Sequence, residues 1–189
     1  MAEVRSASLS KYISLSSDHS VAQSFWIVSL ALLAAIGAQI EIPIKPVPLT
    51  LQTMVVLLAG AFLGKRNGFL SMSLYLGLGA VGLPVFAGAS FGFPALLGPT
   101  GGYLLAFPVA AFVIGYLVSL HRSRLFVLMS MTVGLLVIFV AGTIQLNYVY
   151  FHNWSDSLKT GLLAFSVWDL VKLLAASSIY SQFLERQKK

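Results

Sequence analysis

The feature that most limits the fold of this chain is a succession of apolar runs separated by short polar or Gly/Pro-rich connections. A helix crossing a hydrocarbon core of about 30 Å needs roughly 20 mostly apolar residues, and lipid offers no partners for unpaired backbone groups. Six runs meet or approach that need, at 24–40, 49–63, 68–83, 101–120, 125–147 and 159–183. With 58% hydrophobic residues, 10% charged residues and a mean hydropathy of +0.88, the composition is that of an integral membrane protein. The expected fold class is an all-α membrane protein of six transmembrane helices. The second and third runs are short, which leaves a re-entrant pair open.

Charge placement orients the bundle. With both termini inside, the internal segments hold Arg5, Lys11, Lys65, Arg66, Arg122, Arg124, Arg186, Lys188 and Lys189, nine of the 12 Lys and Arg residues. Outside are Lys45 and, at a helix edge, Lys159. Cytoplasmic connections carry the excess of Lys and Arg, so the expected topology is N-in, C-in. Residues 1–23 are polar and lack the apolar core of a secretory signal, which makes them an expected cytosolic tail. Residues 24–184 would then be the membrane domain and 185–189 a basic cytosolic C-terminus.

Several function classes are excluded by what the chain lacks. There is no cysteine, hence no disulfide, thiolate metal site or cysteine nucleophile. His19, His121 and His152 fall in no metal-ligand spacing, so neither a metal nor a cofactor is expected. The net charge of +6 lies in small clusters with no aromatic-interleaved basic stripe, which argues against nucleic acid as a partner. No G-x-x-x-x-G-K-[ST] loop occurs, so the chain does not hydrolyse ATP by a P-loop mechanism.

Two external connections have unusual composition. The stretch "EIPIKPVPLTLQT" (41–53) packs three of the seven prolines into residues 43–48 and cannot be regular helix. Residues 77–102 hold eight of the 16 glycines together with Pro84, Pro94 and Pro99. The stretch "LPVFAGASFGFPALLGPTGGY" is too apolar to float in water, so 84–102 is expected to fold over the bundle as a lid.

Within the last run, "VWDLVK" (167–172) places Asp169 and Lys172 about 60° apart on one helical face. A charge in hydrocarbon costs on the order of 3 kcal/mol, so such residues usually face the protein interior and mark a substrate or ion path. Structural neutralisation alone explains the pair poorly, because packed apolar groups are often as stabilising. A proton relay usually strings several ionisable groups across the membrane, and here there is one pair. An acid–base enzyme would need a third member that the sequence does not offer. A small ligand presenting both donors and acceptors, such as a cyclic urea or amide, matches an Asp that accepts and a Lys that donates.

"PVPLTLQT" (46–53), "LLAGAFLG" (57–64), "GLPVFAGAS" (82–90), "LLGPTGGY" (96–103) and the D-x-x-K of the last span occur in this order. Together they resemble the BioY family, the biotin-specific substrate-binding (S) components of energy-coupling factor (ECF) transporters. The resemblance, over about residues 25–180, implies a cell-membrane bundle of six helices that captures biotin near the external face. It implies partners too, a transmembrane T component and a pair of ATP-binding-cassette ATPases that power import. An S component for another vitamin or small heterocycle is the alternative on the same scaffold. The family's acidic and basic pair corresponds to Asp169 and Lys172, and its "GPTGGY" to Gly101, Gly102 and Tyr103. Ser90 stands where relatives can have Asn, and Leu104 where some have Arg. A biotin carboxylate is then left to Lys172, Lys45, backbone N–H groups or water.

Other residues complete the expected site. Gln52, Thr50 and Thr53 open the second run and can bond a ligand or cap a helix. Capping suits Thr50, whereas Gln52 is divided between the two roles. In the first run, Ala31 with Ala35 and Ala34 with Ala38 form small-residue pairs at spacing four. S components resembling this chain dock on the T component through such a face. Tyr75 and Trp168 are expected to be packing aromatics, and "YVYFHNWSDS" (148–157) an aromatic belt with a helix start.

Overall fold

The computed structural model describes residues 20–164 and 167–188. Seven α-helices lie among them: α1 (Ser20–Gln39), α2 (Gln52–Ala80), α3 (Gly92–Leu97), α4 (Gly101–Leu120), α5 (Arg124–Leu146), α6 (Trp154–Ala164) and α7 (Val167–Lys188). Between α1 and α2 a two-residue antiparallel ladder, β1 (Glu41–Ile42) and β2 (Leu49–Thr50), pairs Glu41 with Thr50 and Ile42 with Leu49. The prolines of 43–48 occupy the turn of this ladder, where a missing N–H breaks no helix.

Among the described residues three helices are long and apolar enough to cross a membrane: Val21–Gln39, Gly101–Leu120 and Arg124–Phe151, where α5 runs on into a π-helical turn. They match the first, fourth and fifth expected spans within a few residues. The second and third expected spans are the two arms of α2. Gly64, at φ 74° and ψ −179°, reverses the chain inside that helix, a conformation that favours glycine. Gly68 on the returning arm packs against the backbone of Ala59 and Gly60, so the arms form a tight helical hairpin. The sixth expected span, 159–183, covers α6, which begins earlier at Trp154, and α7, and residues 165 and 166 between them lie outside the described residues. The expected tail 1–23 already turns helical at Ser20, and residues 185–188 continue α7 rather than leaving it.

Small residues let the central helices meet. A Cβ at Gly60 would fall 2.6 Å from Ala111 O and 2.8 Å from Ile114 Cβ, and Gly115 sits against the Gly64–Lys65 backbone. Small residues at such crossings allow the van der Waals contact that drives helix association in lipid. Two apolar clusters result, one centred on Tyr75, Phe86 and Phe107 and one on Leu57, Ile114 and Met131.

The alanines of α1 are used inside this bundle. Ala31, Ala34 and Ala38 are fully buried, Ala31 and Ala34 belong to the first cluster, and Ala35 is half-buried. The exposed face of α1 is instead Val28, Leu32, Ile36 and their neighbours. The side chains of Ala31, Ala34 and Ala38 thus pack inside the bundle, while Ala35 keeps part of its surface.

Basic residues collect at one end of the bundle. Lys65, in the hairpin turn, lies 5.6 Å from the centroid of Tyr116 near the end of α4, and Arg124 at the start of α5 pairs with Glu185 at the end of α7. Gly60→Val should cost about 1–3 kcal/mol through overpacking against α4. Thermal unfolding in detergent should show the drop, whereas Gly77→Ala, where open space surrounds the glycine, should leave the midpoint unchanged.

Candidate functional site

Asp169 lies near the start of the described part of α7, Val167–Lys188. Lys172 follows one turn later on the same face, and its Nζ lies 2.6 Å from Asp169 Oδ1. Both side chains are buried, at 4% and 2% exposure.

Threonines from the start of α2 complete the pair. Lys172 Nζ donates to Thr53 Oγ1 at 2.6 Å and to Thr50 O at 2.8 Å, while the Thr53 hydroxyl donates to Asp169 Oδ1 at 3.2 Å. An ammonium has three donors, and here each meets an acceptor. The carboxylate is less committed: among the described residues both partners bond Oδ1 and none bonds Oδ2.

The pair forms one wall of a cavity of about 210 Å³. Val47, Pro48, Leu49, Leu104, Phe107 and Phe139 give it apolar surfaces, and Thr50, Gln52, Thr53, Ser90, Thr100 and Tyr103 supply neutral polar groups. Phe86 and Ala87 close it from the segment after α2. Lys172 and Asp169 are its only charged lining residues among those described, and Lys45 is exposed elsewhere. A concave, mostly apolar site with a few convergent polar groups is the usual form of a small-molecule pocket.

Five expected site residues therefore meet at this cavity: Asp169, Lys172, Tyr103, Ser90 and Gln52. Gly101 and Gly102 do not. Gly101 packs against Leu96 O and the Gln145 side chain, and Gly102 against Ala141 O. Their missing side chains let α4 approach α3 and α5. Leu104 is buried in the wall, where an Arg would have brought a second cation. Ser90 Oγ bonds Ala87 O at 2.8 Å and closes a tight turn. Tyr103 Oη, by contrast, is buried and has no hydrogen bond among the described residues.

Composition alone did not single out the residues that hold the 81–100 segment in place. This segment is folded rather than loose, with a 3₁₀ turn (Ala87–Ala89) followed by α3. Phe86 is buried against Gly79, where a Cβ would collide with its ring, and meets Tyr75 edge-on at 5.5 Å. The Gln39 side-chain amide donates to Phe86 O at 3.0 Å and accepts from Ala89 N at 3.1 Å. Gln145 Nε2 donates to Leu96 O and Gly98 O at 2.9 and 2.8 Å. Their signal in the sequence is a lone amide within an apolar helix, which is subtler than a charge but follows the same rule of satisfied polar groups. Trp168 is exposed and Tyr75 is fully buried, both without lining the cavity.

A helical membrane bundle with a largely apolar cavity and, among the described residues, one buried ion pair on its wall defines a membrane-embedded binding protein for a small solute. Comparison with known proteins narrows the class. The chain belongs to the BioY family, whose profile matches residues 9–189. It is 47% identical to the probable biotin transporter BioY of Pyrococcus horikoshii over 144 residues, 76% of this chain and 85% of that protein. It is 44% identical to the biotin transporter BioY of Thermotoga maritima over 147 residues, 78% of this chain and 86% of that one. Its fold is similar to the 2.1 Å crystal structure of the S-component for biotin from an ECF-type ABC transporter, with a TM-score of 0.81 and 27% identity over 87% of this chain and 92% of that one.

Removing one member of the buried pair should be worse than removing both charges. Lys172→Met strands Asp169 and should cost about 3–5 kcal/mol, while adding Asp169→Asn should restore most of that loss. Denaturation midpoints of the two purified variants check this.

Proposed function

We propose that this chain is the biotin-binding S component of an ECF-type transporter, a membrane transport subunit and not an enzyme. The observation that carries this reading is the Asp169–Lys172 pair set into the wall of an otherwise apolar cavity. The ureido ring of biotin presents two N–H donors beside a carbonyl acceptor. Asp169 Oδ2 is the acceptor available to an N–H group, and Lys172 can exchange one protein acceptor for the ligand carbonyl. The apolar walls suit the thioether ring and the aliphatic tail. Tyr103 Oη and Ser90 are the neutral groups within the same cavity, and the 81–100 segment acts as its lid.

The two arms of α2 count as separate crossings in this reading, and together with α1, α4, α5 and the α6–α7 unit they give six spans. The basic end, with Lys65, Arg122, Arg124 and Arg186, faces the cytosol, which puts both termini inside and opens the cavity outward. A cysteine placed at Lys45 should react with an impermeant maleimide added to whole cells. One placed at Arg122 should react only after permeabilisation, and the cysteine-free chain gives no background. As an S component the chain works with a T component and ABC ATPases, which supply the hydrolysis it lacks.

Calorimetric titration of biotin into the detergent-purified protein, with riboflavin and thiamine as controls, tests the ligand. Saturable heat with biotin alone is the expected result. Asp169→Asn should weaken binding by roughly 10- to 150-fold, the loss that follows when a hydrogen bond to a charged group is removed. Absence of both heat and a biotin-dependent thermal shift in the wild type rejects the assignment.

A further inference from the structure

A series of hydrogen bonds, linked at Thr50 through that residue's own covalent frame, leads from the ion pair to the lid. Lys172 Nζ donates to the carbonyl of Thr50 at 2.8 Å, and the hydroxyl of the same Thr50 donates to Gln52 Oε1 at 2.8 Å. The Gln52 amide donates in turn to Tyr75 Oη, which donates to Val85 O at 3.1 Å. Every donor in the series points the same way, from the charge toward the lid. Thr50, Gln52 and Tyr75 are all buried, so water does not compete for these bonds. Tyr75 itself is off the cavity wall, and Val85 directly precedes Phe86 and Ala87, which are on it.

The lid has a second attachment next to the first. Gln39 clamps Phe86 O and Ala89 N from an exposed position, and no hydrogen bond joins it to the ion pair among the described residues. One attachment is thus chained to the binding site and the other is not. All three donors of Lys172 are already engaged, so a ligand acceptor that takes one must displace an existing partner or share it. Thr50 O is the one of those three partners that lies on the chain to Val85.

We propose that Gln52 and Tyr75 are positioning residues that transmit occupancy of the Asp169–Lys172 site to the 81–90 segment, so that the bound state holds the lid more firmly than the empty one. The proposal rests on biotin as the ligand. It reassigns Gln52, whose amide serves the chain rather than the ligand. Tyr75→Phe keeps the ring, which packs on Phe86 and Phe107, and removes only the hydroxyl. Thr50→Val cuts the same chain at another link and leaves the carbonyl that Lys172 uses.

Hydrogen–deuterium exchange of the full chain in detergent, with and without saturating biotin, tests the coupling. In the wild type, biotin should slow exchange across 83–90. In Tyr75→Phe and in Thr50→Val that slowing should shrink by roughly fivefold, the ratio expected for one neutral hydrogen bond. Combining the two should add nothing further, because both cut one chain. Gln39→Ala should speed exchange with and without biotin alike and leave the biotin-dependent ratio as in the wild type, the behaviour of a merely structural contact. If Tyr75→Phe fails to fold, Thr50→Val carries the test. Undiminished biotin-dependent slowing in a variant that still binds biotin overturns the chain alone. No biotin binding by the wild type overturns the ligand assignment and the chain with it.

Discussion

The contact between Asp169 and Lys172 is the interaction on which the rest of this structure depends. Two charges inside a membrane protein require partners of fixed geometry, and the surrounding chain is arranged to provide them. Helix α7 carries both groups three residues apart, on one face. The proline-rich ladder then brings the Thr50 carbonyl and the Thr53 hydroxyl to the ammonium. Each irregular segment near the cavity can be understood as a means of completing this one polar centre in apolar surroundings.

Around that centre the fold relies on closeness rather than polarity. Gly60, Gly68 and Gly115 bring the hairpin and α4 together, Gly101 and Gly102 seat α4 against α3 and α5, and Gly79 admits the Phe86 ring. Without water to drive association between helices, contact area of this kind supplies much of the cohesion. The cavity survives because bulky aromatics, Phe107 and Phe139, stand at its margin instead of at those crossings.

Much of this was legible beforehand. Hydropathy located the first, fourth and fifth spans, and the cost of burying charge singled out Asp169 and Lys172 as a shared site. Hydropathy also separated the second and third runs around Lys65 and Arg66, where α2 reverses, but not the residue that makes the turn, because a glycine beside an apolar run reads equally as helix or turn until its φ is known. The glycines of "GPTGGY" and the alanines of α1 share one ambiguity. A small residue signals close approach, but sequence alone does not say whether the neighbour is a ligand, a partner or the chain's own next helix.

Among the described residues, the side chains bonded to the lid segment are neutral: Gln39, Gln145 and Tyr75, the last held by Gln52, while Lys65 and Arg124 lie at the opposite end of the bundle. Coulombic contacts at a membrane surface vary with ionic strength and with the anionic lipid nearby, whereas amide and phenol hydrogen bonds do not. A receptor built this way keeps the same grip on its cover in fresh water and in brine, and leaves electrostatics to decide only which way the molecule faces and what it recognises.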